Sequence, residues 1–172
     1  MSTSQTVTGE RADLLASLAK QRHFLRFTTR GLNDEQAGRR TTVSVLCLGG
    51  LVKHVALTER QWARFIVEGA KVMEFDPATA AETWASAFQM LDGETLAGLL
   101  EQYDQVAAET DELARTLPDL DALQPLPTAP WFEPGASWSA RRVLLHIIAE
   151  TAQHAGHADI LREAIDGAKS MG

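Results

Sequence analysis

Cysteine is almost missing from this chain: Cys47 is the only one in 172 residues. No intramolecular disulfide can staple the fold, which fits a reducing cytoplasm. Cys47 itself reads as a small buried hydrophobe on a helix. Basic charge is also short, with 16 Lys and Arg against 23 Asp and Glu and a net charge of −7. A polyanion partner needs a basic footprint, so this balance argues against nucleic-acid binding. No run approaches the ~18–20 apolar residues of a membrane span. Met1 to Thr6 shows neither the basic nor the apolar region of a secretion signal. A soluble, cytoplasmic protein without a membrane partner is expected. Strand-like alternation, internal repeats and low-complexity stretches are lacking too. What remains is a single domain over residues 1–172, large enough to bury roughly 70% of its unfolded surface.

Four long stretches carry helical periodicity. The first runs from about Thr8 to Arg30, with Leu14, Leu15, Leu18, Phe24 and Leu25 on one stripe and Gly31 as a stop. The second starts near Ser44, an N-cap residue type, and passes through Leu51, His54, Val55, Trp62, Phe65 and Ile66 to Gly69. The third spans about Glu94 to Leu117 and ends at Pro118; the fourth runs from Ser139 to Ile165, with Gly167 as C-cap. The link from Asn33 to Thr42 is short and polar, whereas Ala70 to Asp92 is long, with a minor helix expected over Ala78 to Met90. Asp119 to Ser137 holds four prolines and Trp131, with Trp138 just past its end. It reads as irregular chain walling a pocket. Four amphipathic helices can bury their stripes only against one another, so an all-α four-helix bundle is expected, with long connections after the second and third helices.

The fourth helix concentrates chemistry. With His154 as the reference and about 100° per residue, Glu150 lies near −40°, His157 near −60° and His146 near −80°. All four thus share one stripe of an otherwise apolar segment. Glu150 and His154, four apart, place their tips on adjacent turns. On the second helix His54 shares a face with Gly50, Leu51, Leu57, Thr58 and Gln61 and is expected to point inward, where an imidazole needs a partner. Together His54, Glu150 and His154 form a His₂Glu set that leaves a fourth position open, suited first to Zn²⁺ and then to Ni²⁺, Co²⁺ or Fe²⁺. Gly156, costly inside a helix, is expected to mark close approach of another backbone or a ligand. The spacing is not the Glu-x-x-His of di-iron bundles, nor the His-Glu-x-x-His of metalloproteases.

The order Gly49-Gly50-Leu51-Val52-Lys53-His54, followed by Glu150-Thr151-Ala152-Gln153-His154-Ala155-Gly156-His157-Ala158-Asp159-Ile160-Leu161-Arg162-Glu163, resembles the DinB/YfiT-like superfamily of metal-binding four-helix proteins, on its actinobacterial branch. The resemblance covers nearly the whole chain. It implies one divalent metal held by His54, Glu150 and His154. Many relatives have His where Glu150 stands; the mycothiol-dependent maleylpyruvate isomerases are similar to this chain in having Glu. Many also read His-Arg-Gly-Gln where this chain has His154-Ala155-Gly156-His157, which makes His157 an additional imidazole beside the site.

An open position on a bound cation lowers the pKa of a coordinating thiol or water. The resemblance implies the thiol version: S-transfer or isomerisation with a low-molecular-weight thiol such as mycothiol or bacillithiol and a small electrophile. His157 and His146 are the candidate catalytic residues for proton relay. Trp131, Phe132 and Trp138 are candidates for an apolar wall, and Lys53, Arg141 and Arg142 for contacts to an anionic cosubstrate. Two other readings stay open: a non-enzymatic metal-binding or stress-response bundle, including a homodimer, and a hydrolase using metal-activated water.

Overall fold

Residues 7–74 and 80–170 are described by the computed structural model. The absence of a secretion signal at Met1 to Thr6 and the first two residues of the expected Ala78–Met90 helix lie outside them. Leucine spacing and capping chemistry account for most helix limits. Helix α1 (Glu10–Phe27) buries Leu14, Leu18, Arg22 and Leu25 at positions i, i+4, i+8 and i+11. It stops at Phe27, and Gly31 supplies a turn at φ 71° three residues past the Thr28 cap. The polar link then forms a short helix α2 (Asp34–Gly38), closed by a capping box between Asn33 and Gln36.

Helix α3 (Leu48–Glu68) begins three residues later than an N-cap at Ser44 predicts. Its N-cap is Cys47, whose sulfur accepts from the Gly50 N–H at 3.4 Å. Cys47 is indeed buried, at 2% exposure, but as the cap rather than as an interior helical residue. A 3₁₀ turn (Ala70–Met73) and helix α4 (Ala80–Ala87) follow. Thr95 caps helix α5 (Leu96–Thr116), and Ser139 caps helix α6 (Ala140–Asp166) by accepting from the Arg142 N–H at 3.1 Å. Gly167, at φ 77°, ends α6 as its composition predicts.

The Pro-rich connection is not wholly irregular. Strand β1 (Leu123–Pro125) pairs antiparallel with β2 (Ser137–Ser139), in the register Leu123↔Ser139, Gln124↔Trp138 and Pro125↔Ser137. Proline is tolerated because Pro125 sits at the strand end, beyond which Leu126 N–H resumes bonding to Ala136 O at 2.9 Å.

Ion pairs and shared core residues establish the packing direction. Arg141 at the start of α6 binds Glu10 at the start of α1, and Arg162 near the end of α6 donates to Thr28 O and Arg30 O, so α1 and α6 run parallel. One core layer joins Leu14, Leu18, Trp62, Phe65, Ala114 and Leu144; the other joins Leu25, Leu51, Val55, Leu99, Tyr103 and Ala158. Hence α3 and α5 run parallel to each other and antiparallel to α1 and α6. The all-α four-helix bundle is therefore up-down-down-up. Two parallel neighbours in sequence require a long crossover, and this is what the chain between α3 and α5 does: it returns along the bundle to the level of Cys47.

The returning chain explains Gly49-Gly50. A Cβ on Gly50 would stand 1.9 Å from the Phe88 carbonyl oxygen, and one on Gly49 would stand 2.1 Å from Met90 Sδ. Close backbone approach, expected at Gly156, occurs here instead. Nothing lies within 4 Å of a Cβ on Gly156, which faces solvent.

Charges also enter the core. Arg22 donates through Nε and Nη2 to the two Glu59 oxygens, and through Nη1 to Asp111 Oδ1 at 2.7 Å. Glu59 is 1% exposed. Burial opposes the Arg22 charge, but hydrogen bonds and the two carboxylates more than offset it and raise its pKa.

Candidate metal centre

Because α3 and α6 run antiparallel, an early turn of α3 faces the middle of the longer α6. His54 thereby meets Glu150 and His154, and one ligand atom from each lies within 4.8 Å of the others. His154 Nε2 and His146 Nε2 each stand 3.8 Å from a different Glu150 oxygen. The His54 and His154 rings meet edge to face at 4.7 Å, and Phe88 from the crossover stacks on His54 at 4.0 Å. Among the described residues His54 draws no hydrogen bond.

Burial sets the protonation of this group. Desolvation, with a smaller contribution from His154, pushes His54 down to about 4. Desolvation also lowers His154, with His157 adding to it, and lowers His146, with Arg142 adding to it. The same loss of water raises Glu150. At neutral pH the imidazoles are therefore neutral, with lone pairs free. The Glu150 side chain is 30% exposed and no Lys or Arg among the described residues pairs with it. Two neutral imidazoles and a carboxylate lacking a basic partner could hold a metal ion.

The two supporting histidines separate. His157 Nδ1 lies 3.4 Å from His154 Nδ1, the ring nitrogen turned away from Glu150. It is placed to hold the orientation of His154, since the second nitrogen of a ligating imidazole is ordinarily held by a partner. It does not line the adjacent cleft, whereas His146 does. That cleft holds about 1140 Å³. His54, Glu150, His154 and Phe88 form one part, and Trp62, Met73, Leu126, Trp131, Phe132 and His146 form the other.

Trp131 and Phe132 line the cleft as expected, but Trp138 stands behind it, stacked on Trp62 at 4.9 Å with 17° between the planes. His146 sets its edge against both indoles, at 4.7 and 5.1 Å. The proposed anion contacts do not line the cleft. Lys53 pairs with Glu94 at 2.8 Å, Arg141 is held by Glu10 and Asp121, and Arg142 lies over the Trp138 ring at 5.0 Å. Phe88, Thr58 and Gln61 join the cleft without having been singled out for it. Thr58 and Gln61 follow His54 at helical spacing and were legible; Phe88 depends on the crossover and was not.

A helical bundle with a His-Glu-His cluster at the base of an aromatic cleft defines the class. The chain belongs to the mycothiol S-transferase family, whose model matches residues 13–167. This agrees with the DinB/YfiT-like resemblance. No curated protein matches the chain. Among solved structures it is similar to a conserved protein from Enterococcus faecalis, 12% identical, over 94% of this chain and 100% of that one, with a TM-score of 0.68. At that identity the likeness concerns the fold. No helix among the described residues is long and apolar enough to cross a membrane.

Proposed function

We propose that the protein transfers a low-molecular-weight thiol, mycothiol or a close analogue, onto a small electrophile, with His54, Glu150 and His154 as ligands of a divalent metal. The observation that carries this reading is the convergence of those three donors within 4.8 Å at the floor of a cleft large enough for two substrates. Family membership supplies the thiol. A divalent cation held there with an open position would bind the thiol sulfur and lower its pKa. The chain's own residues do the rest. Phe88 and His154 hold the His54 ring from two sides, and His157 fixes the His154 ring. Neutral His146, open to the cleft and 3.8 Å from Glu150, is the group placed to take up the thiol proton. Trp62, Trp131 and Phe132 offer the electrophile an apolar side of the cleft.

The test is conjugation of monochlorobimane by a panel of thiols, run alongside metal analysis. Conjugation is expected with the mycothiol-like thiol, to vanish on chelation, to return with Zn²⁺, and to be lost together with bound metal in His54→Ala. Undiminished conjugation by a metal-free His54→Ala protein would overturn the mechanism. Turnover of ester or amide substrates without thiol would favour a hydrolase instead.

A further inference from the structure

Two covering segments shape the substrate side of this cleft, and their composition bears on what enters it. Residues 72–114, which contribute Met73, Glu74 and Phe88, contain no Lys, Arg or His, and neither do residues 116–140, which contribute Leu126 to Phe132. They do contain acids, of which Glu74 lines the cleft. From the helices the lining adds only Thr58, Gln61, Trp62, Glu150 and three imidazoles, two of them the proposed metal ligands, and the 3₁₀ turn adds Ala70. The nearby basic side chains are engaged elsewhere. Lys53 is paired with Glu94, Arg142 covers the ring of Trp138, which does not line the cleft, and Lys71, within electrostatic range of Glu68, lies outside the lining. Along one side, Phe132 sets its edge toward Trp62 at 6.4 Å and meets Trp131 at 6.2 Å, while Trp131 is 72% exposed at the mouth.

Resting on the S-transferase reading, we infer that the electrophile is an uncharged, planar, apolar molecule, aromatic or conjugated, seated against Phe132, Trp131 and Trp62, and that carboxylated electrophiles are rejected. Flat rings offer edges and faces to a flat partner. A carboxylate seated against these rings would lose water with no Lys or Arg in the lining to replace it, and Glu74 adds a like charge to the same cleft. This argues against isomerisation of a dicarboxylate and for conjugation of neutral compounds. In the transfer the thiolate sulfur forms a bond to the electrophilic carbon. The leaving group departs with its electron pair as an anion, or, in an addition, the adjacent carbon takes up the proton the thiol gave up.

The experiment reads binding, not turnover. Methyl 3,5-dinitrobenzoate and 3,5-dinitrobenzoate differ by the charge and one methyl group, the methyl being worth at most about fourfold in affinity, and both quench tryptophan fluorescence. Titrated into the purified metal-free protein, the ester is expected to bind at least about tenfold more tightly than the carboxylate. Phe132→Ala should weaken the ester severalfold. Thr128→Arg, in the exposed part of the lining loop, should bring the carboxylate to within about threefold of the ester. Equal or tighter binding of the carboxylate to the wild-type protein would overturn the inference, as would ester binding indifferent to Phe132→Ala. If the ester preference holds while no thiol is conjugated to anything, the transferase reading fails and the cleft assignment stands.

Discussion

Gly50 and Gly156 are both helical glycines, and replacing each by alanine is expected to move stability in opposite directions. Alanine in a helix interior gains up to ~1 kcal/mol over glycine. At Gly156 nothing lies within 4 Å of the added Cβ, so that gain is kept. At Gly50 the Cβ would stand 1.9 Å from the Phe88 carbonyl oxygen, 2.2 Å from its carbon and 2.7 Å from Gln89 N. These are backbone atoms, and no rotamer change relieves the contact. Ordinary contact begins at roughly 3.5 Å, so the crossover must retreat by about 1.5 Å. Overpacking of this kind costs about 1–3 kcal/mol. The contact is severe, and after subtracting the propensity gain we expect Gly50→Ala to lose about 1–2 kcal/mol. For a chain of this size that is a fall in Tm of roughly 2–8 °C, against a rise of about 2–4 °C for Gly156→Ala. Urea titration followed by tryptophan fluorescence, with thermal melts of the metal-free protein, measures both. A Gly50→Ala protein as stable as wild type would refute the account of the crossover, and with it the reason Phe88 reaches His54.

Three further outcomes are expected. Saturation with the resident cation, at a free concentration 1000-fold above its Kd, should add about 4 kcal/mol, seen as a fall in Tm on chelation that His54→Ala abolishes. In the metal-free protein His54 sits at about 4 against 6.5 for a free imidazole, so the unfolded chain takes up its proton first. Stability should therefore be full above about pH 6.5 and drain away toward pH 4, by about 1–2 kcal/mol from His54 once partial exposure is discounted; raised Glu150 acts in the opposite sense, since its penalty fades as pH falls. A Tm flat between pH 7 and 4 would contradict this. Arg22→Ala leaves Glu59 charged at 1% exposure and should cost about 3–5 kcal/mol by urea denaturation, with Arg22→Met/Glu59→Met recovering most of the loss.

Much of the bundle was legible because its signals are local. Leucine stripes, Ser139 and Gly167 mark the limits of α6 nearly to the residue, since stripe and caps coincide there. Ser44 misleads because Cys47, three residues on, makes the capping contact with its sulfur while also donating to Phe88 O at 3.7 Å. That choice depends on the crossover, a tertiary neighbour. The cluster of His54 with Glu150 and His154 was readable from two inward stripes. Its neighbour Phe88 was not, and nor was the pairing of Lys53 with Glu94, because both depend on the parallel run of α3 and α5. Arg22 and Glu59 did leave a signal: each occupies an apolar stripe position, between Leu18 and Leu25 on one helix and between Val55 and Trp62 on the other. Two opposite charges at core positions predict each other.

The single thiol of the chain has a practical consequence. Cys47 is 2% exposed, with Phe88 O against its sulfur, so an alkylating reagent reaches it only when residues 88–90 lift away from the start of α3. Its labelling rate in the native state is thus a clock for that one local opening. In any assay where the protein is mixed with electrophiles, self-modification of Cys47 is limited to the same rare event, and product formed faster than the clock runs cannot come from it.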